Sequence, residues 1–249
     1  EKEYGSKISD KEVDKELAKQ KKQLGNQFDA YLAQQGLTEE TAKKQIRSNM
    51  LLEYAVNQAA KKDIKESDYK SAFESYTPEV TAQIIKLDSE DKAKEVLEAA
   101  KAEGADFAQI AKDNSTDTAT KDKGGEVKFD SGTADIPSQV KEAAFKLDEN
   151  GISDVITVSA GQNYSASYYI VKLNKKTEKG SDWKKYEKRL KEIIVDGRKQ
   201  DTNYIRSIIA KAMTNANIKV KDDAFKSTFN QYLQNIGVQT SGSSSSSKK

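Results

Sequence analysis

Two pairs of neighbouring carboxylates, Glu39-Glu40 and Asp222-Asp223, are the first groups in this chain that could do acid–base chemistry. Each stands at the start of a stretch with helical spacing, where negative charge complements the helix dipole, so both read as helix starts. The pair Gly124-Gly125 has the backbone freedom of a phosphate cradle. It lacks the following lysine-serine and any wider glycine frame, so it reads as a sharp change of direction. What is missing bounds the chemistry more firmly. None of the 249 residues is histidine or cysteine. The usual acid–base at neutral pH is absent, and so are Ser-His-Asp and Cys-His nucleophiles, thiolate metal ligands and disulfides.

Lysine and arginine number 42 against 40 aspartates and glutamates, for a net charge of +2. The two signs are interspersed and no basic stripe carries stacking aromatics, so nucleic acid is not an expected partner. A third of the residues are charged and mean hydropathy is −0.84. That composition suits helices with much solvated surface better than one thick globule. No apolar run has transmembrane length, and no signal peptide opens the chain.

Helical spacing and caps organise the first third. Ser9-Asp10-Lys11-Glu12 is a capping-box pattern leading a helix with Val13 and Leu17 inward. Gly25 breaks it, and Phe28, Tyr31 and Leu32 mark a short helix ending at Gly36. Thr38 caps a long helix over 39–62 with one apolar stripe: Ala42, Ile46, Met50-Leu51, Tyr54-Ala55 and Ala59. Ser67 is expected to cap the next, which stops at Pro78. The spacing then predicts a strand at 80–87, whose consecutive Ile84 and Ile85 suit burial on both faces. A helix over 88–102 follows, then a short helix, a polar loop and a strand at 126–129. Pro137 starts a helix to 147, and strands at 153–159 and 166–173 form a hairpin across a loop at 160–165. Beyond 181, a stripe from Trp183 to Ile194 is broken at Asp196-Gly197. Helices at 204–216 and 222–236 flank a candidate strand at 217–220, and a serine-rich tail occupies 240–249.

Five segments in order, FAQIAKDNSTD, GGEVKF, IPSQVKEAAFKL, NGISDVITV and SYYIVKL, resemble a parvulin-type prolyl isomerase domain over 81 to about 175. The flanks are similar to the rest of the PrsA-type extracytoplasmic foldase lipoproteins, in their streptococcal branch, with a SurA-like N-terminal region. The resemblance implies an α+β fold: a small antiparallel sheet flanked by helices, inserted between N- and C-terminal helical segments that pack together. The implied domains are a helical chaperone segment at 1–78, the parvulin-like domain at 79–177, C-terminal helices at 178–238 and a disordered tail at 239–249. It also implies a signal, a lipid-carrying cysteine and a first helix upstream of Glu1, and a place on the outer face of the cell membrane. Unfolded or partly folded secreted proteins and proline-containing peptides are the implied partners, with no cofactor and no metal. The narrow unpaired stripes of the N-terminal helices lead to an expected homodimer.

Parvulins place two histidines on adjacent central strands, a Cys or Asp nearby, and a Met/Leu and Phe pocket on a helix. By resemblance, Gln83 and Tyr169 stand at the histidine positions and Asp117 keeps the acidic one. Phe129, Ile136 and Val140 are the implied proline-binding residues, and Phe145 anchors helix to sheet. An amide and a phenol hydrogen-bond but do not replace an imidazole pair. The expectation is therefore a foldase and chaperone whose isomerase turnover is lost or weak. Two alternatives stand beside it: an active isomerase using these non-histidine groups, and a surface-adhesion lipoprotein.

Overall fold

Helices in this chain begin where side chains take over backbone amides that have no partner in the first turn. In the computed structural model, which describes residues 4–160, 165–216 and 223–235, Ser9 and Glu12 form the expected capping box and open α1 (Asp10–Leu24). Thr38 does the same with Thr41 for α3 (Glu39–Lys62), after the short α2 (Phe28–Gln34). The helix α4 (Glu66–Ser75) starts one residue before Ser67. Its cap is instead the Asp68 carboxylate, which accepts from the Lys65 amide at 2.9 Å.

Two units divide the chain. Glu1–Tyr69 and Lys191–Lys249 make one, and Lys70–Leu190 the other. In the first, α1 packs on α3 around Ile8, Val13, Leu17, Phe28, Leu32, Ala42 and Ile46. Burial stabilises this core by about 1.5–3 kcal/mol per large side chain. Ion pairs Arg47–Asp10, Lys43–Asp14 and Lys21–Glu39 run along the same seam. Largely exposed, they contribute at most about 1 kcal/mol each and set register more than stability.

The expected single stripe on α3 holds as far as Tyr54, with Met50 and Leu51 also packed on this core. Further along, Val56 and Ala60 are buried while Ala55 and Ala59 are half-exposed. A four-residue spacing drifts around a helix of 3.6 residues per turn, and α9 (Thr202–Ala216) packs on the second face. Between them Arg198 of α8 (Glu187–Gln200) donates to the carbonyl oxygens of Ala60 at 3.0 Å and Asp63 at 3.4 Å, and to Asp68 Oδ2 at 2.7 Å. It thereby satisfies carbonyls that the end of α3 leaves open. The Asp196-Gly197 pair does not break α8, as one glycine weakens a packed helix without ending it. The break falls at Asp201, whose carboxylate caps the amides of Asn203 and Tyr204. The last described helix is α10 (Asp223–Asn235). The candidate strand at 217–220, residues 222 and 236, and the serine-rich tail lie outside the described residues.

The second unit is built on a four-stranded antiparallel sheet of order β2-β1-β4-β3, made of β1 (Val80–Leu87), β2 (Glu126–Phe129), β3 (Ile156–Ala160) and β4 (Ser165–Lys175). On one face Val80, Ala82 and Ile84 meet α7 (Ser138–Lys146) through Val140 and Ala144. On the other, Ile85 and Leu87 meet α5 (Glu90–Lys101) and α6 (Phe107–Asn114) through Ala93, Val96, Phe107 and Ala111. The sheet inserted within a helical chain, flanked by helices, is the expected fold class.

Local starts differ from the sequence reading. Ser89, not Asp88, precedes α5 as its cap, and Pro137 is the residue before α7, in extended conformation. The hairpin's first strand begins at Ile156. Ser153 is occupied instead in holding β4, accepting from the Val171 amide at 3.0 Å through its hydroxyl.

Gly125 is where β1 and the turn before β2 come closest. Its φ is +78°, its carbonyl accepts from the Ile84 amide at 2.8 Å, and a Cβ there would lie 2.5 Å from the Ile84 oxygen. Gly36 has φ +64° with nothing within 4 Å. Urea unfolding therefore separates them: Gly125→Ala loses about 3 kcal/mol and Gly36→Ala about 1 kcal/mol, the first from strain and clash together, the second from strain alone.

Candidate functional site

Strand pairing decides which of the expected site residues can meet. Ala82, Ile84 and Lys86 of β1 lie opposite Leu173, Val171 and Tyr169 of β4, and residues directly opposite share a face. Tyr169 therefore stands with Ile84 and Lys86 on the side covered by α7. Gln83 pairs with Lys172 and Glu126 and belongs to the other side. Its Nε2 donates to the Gly124 carbonyl at 3.0 Å and holds the glycine turn. Gln83 and Tyr169, the two histidine positions by resemblance, thus stand on opposite faces of the sheet: one residue along a strand reverses the face. Of the β1 residues on the Tyr169 side, the two nearest it in register are Ile84, 4 % exposed, and half-buried Lys86.

The loop after α6 reaches the same end of β1. Lys86 donates its amide to the Ser115 hydroxyl at 3.1 Å, and its carbonyl accepts from the Thr116 amide at 2.8 Å. Asp117 follows directly, but its carboxylate is committed to its own turn. It accepts from the Ala119 amide at 3.2 Å and from the Thr120 hydroxyl. The acidic position therefore follows the loop docked on Lys86 and is a turn cap in its bonding.

Of the three expected proline-binding residues, two are core. Phe129 and Val140 are 1 % and 0 % exposed. Phe129 lies opposite Val80 on the inward side of β2 and tilts against Phe145, ring centroids 5.8 Å apart. Only Ile136 is half-buried. The partly buried apolar surface against this core includes Val127, Ile136, Ile156 and Tyr169. Its chemistry is an apolar patch with a phenol and an ammonium beside it, and no imidazole or thiol.

The most heavily bonded carboxylate of the described residues is elsewhere in this unit. Asp130, 7 % exposed, accepts two bonds from Arg189, from Nε at 2.6 Å and Nη2 at 2.8 Å. It also accepts from the Tyr76 hydroxyl at 3.1 Å, the Thr133 hydroxyl at 3.1 Å and the Gly132 amide at 3.0 Å. Burial alone would raise its pKa. The bonds and charge of Arg189, helped by Thr133 and Tyr76, outweigh this and hold it below the ordinary aspartate range. Burial, reinforced by the Asp130 charge, pushes the Tyr76 phenol far up. Around them Tyr186 tilts against Tyr76 at 5.2 Å and stacks on Phe73 at 5.9 Å, with the Lys179 ammonium 4.5 Å from the Phe73 ring centre. These contacts tie the entry of the unit, at 73–77, to its exit, at 179–189, across the loop after β2.

Residues 76–175 match the Rotamase family model, a PPIC-type PPIase domain. The whole chain extends the match. It is 61% identical over 237 residues to the foldase protein PrsA of Streptococcus sanguinis, covering 95% of this chain and 70% of that one. This chain belongs to the PrsA foldase family. It is 57% identical to PrsA of Streptococcus gordonii, over 100% of this chain and 78% of that one. In structure it is similar to crystalline PrsA of Streptococcus pneumoniae, with a TM-score of 0.84 at 54% identity, covering 93% of this chain and 84% of that one. Lactococcus lactis PrsA gives a TM-score of 0.72 at 37% identity, over 93% and 83%. A PrsA chain with a parvulin-type domain is an extracytoplasmic foldase.

Two features of this PrsA domain escape the sequence reading. Ile84 and Lys86 were signalled by the alternation of β1, but only the β1–β4 register shows which parity Tyr169 joins. The Asp130–Arg189 pair spans 59 residues and leaves no local signal beyond the turn that Asp130 caps. Asp130→Asn leaves Arg189 without its counter-charge and destabilises the unit by about 3 kcal/mol, read in urea unfolding at pH 7. The sign with pH follows from the lowered pKa. The contribution is complete above about pH 4 and fades as pH falls through the lower folded value, so the variant and parent converge only in strong acid.

Proposed function

We propose that this PrsA chain holds proline-containing segments of unfolded secreted proteins on its Tyr169 face and isomerises them weakly or not at all. The carrying observation is that Ile84 and Lys86, not an imidazole, stand on the side of β1 that Tyr169 shares. Rotation about an X–Pro bond meets a barrier of about 20 kcal/mol because amide resonance is lost. A catalyst lowers it by favouring the twisted amide, through a dry apolar seat for the ring and placed polar groups. Val127, Ile136 and Ile156 supply the seat, and the Tyr169 phenol supplies one donor. On β1 no imidazole pairs with it: buried Ile84 and the charged Lys86 stand there instead, which favours grip over turnover.

In this reading the helical segment at 1–78, with the helices at 178–238, holds extended clients, and 79–177 presents the proline face. The tail at 239–249 plays no part. The chain works as a homodimer through its N-terminal helices, at the outer face of the membrane, carried there by an upstream lipid anchor.

A proline-peptide isomerisation assay tests the reading. The parent chain accelerates exchange less than about tenfold over the uncatalysed rate, a small part of the barrier. Ile84→His with Tyr169→His raises the rate, whereas Gln83→His with Tyr169→His does not, because that pair straddles the sheet. Parent turnover equal to that of a histidine-bearing parvulin overturns the proposal. Suppression of client aggregation by the parent chain is the accompanying measurement, and its absence favours a surface ligand instead.

A further inference from the structure

Lys86 is a half-buried cation beside the proposed proline seat, and it forms no ion pair among the described residues. The carboxylates closest to it along the chain and in the docked loop are already engaged. Asp88 Oδ1 accepts from the Thr116 hydroxyl at 3.3 Å, and Asp117 serves Ala119 and Thr120. Glu126, in register with Gln83, belongs to the opposite face.

The stem of Lys86 is also well placed. Ile84 bonds through its amide to Gly125, and Lys86 through its carbonyl to Thr116, so both direct their backbone groups away from β4. Lys86 and Tyr169 therefore form a non-hydrogen-bonded cross-strand pair, in which Cβ atoms approach to about 4.5–5.5 Å. A lysine in such a place lays its methylenes on apolar surface and keeps its ammonium at the edge.

We infer that Lys86 makes this face select proline segments that carry an aspartate or glutamate beside the proline. The inference rests on the reading of the Tyr169 face as the proline seat. A ring covering Val127, Ile136 and Ile156 brings its neighbouring side chain to the Lys86 end of the Tyr169 row. A carboxylate there gives the ammonium a partner that none of the described residues provides, while a lysine there meets like charge.

The test titrates the full chain with blocked Ala-Glu-Pro-Ala, Ala-Ala-Pro-Ala and Ala-Lys-Pro-Ala, followed by residue-resolved amide shifts. The glutamate peptide binds about threefold more tightly than the alanine peptide, as a partly screened ion pair allows, and the lysine peptide binds weakest. Raising the salt concentration narrows the gap. Lys86→Gln abolishes the ranking, and Lys172→Gln, altered on the opposite face, retains it. Equal affinities with clear shifts at Tyr169, or a ranking that survives in Lys86→Gln, overturn the role of Lys86 and leave the proline seat standing. Peptides that shift no amide near Tyr169 overturn both.

Discussion

Strand β1 is covered on both sides, and its two-residue period assigns each side chain to one layer or the other. Val80, Ala82 and Ile84 go to α7, and Ile85 and Leu87 to α5 and α6, each 4 % exposed or less. No slip of register is tolerable, because moving by one residue would carry an entire apolar set into the wrong core. The proposed proline face follows from the same rule. Tyr169 lies on the α7 side because Val171 and Leu173, two and four residues on, are core there. Gln83 is excluded from that side by parity, whatever its chemistry, and takes up the carbonyl of Gly124 instead.

A second constraint closes this unit on itself. Entry and exit of the segment meet in the Asp130–Arg189–Tyr76 cluster, with Phe73 and Tyr186 packed alongside. A carboxylate this buried would be costly if unpaired, but here a two-pronged guanidinium and three further donors answer it. Lys141 of α7 adds to the closure by donating to the carbonyls of Ser131 and Thr133. The loop after β2 is thereby fixed from both sides, and it leads directly into Ile136 at the rim of the proposed seat.

The chemistry of the face is subtractive. The family's sheet, helices and glycine turn are kept, and no histidine or cysteine is present in the chain. In the proposed reading, a phenol, a lysine and an apolar rim make a surface that recognises more readily than it transforms. A foldase can use such a surface, since holding a proline segment away from aggregation needs burial and polar partners and no proton transfer.

Much of the fold was readable from residues alone, because its signals are local. The caps at Ser9 and Thr38, the bounds of α3 and β1, and the consecutive isoleucines each rest on neighbours within a few positions. The absence of imidazole and thiol is likewise a property of the sequence. Other features depend on partners far along the chain. The burial of Val56 and Ala60 depends on α9, the continuity of α8 on its packing, and the Asp130 cluster on Arg189. The Tyr169 face depends on which residues of β1 and β4 stand opposite each other. Amino-acid order by itself determined the elements and the reactive groups this protein lacks. Tertiary structure alone decided that Ile84 and Lys86 accompany Tyr169, because register is set by the packing of two opposite cores and not by any one strand.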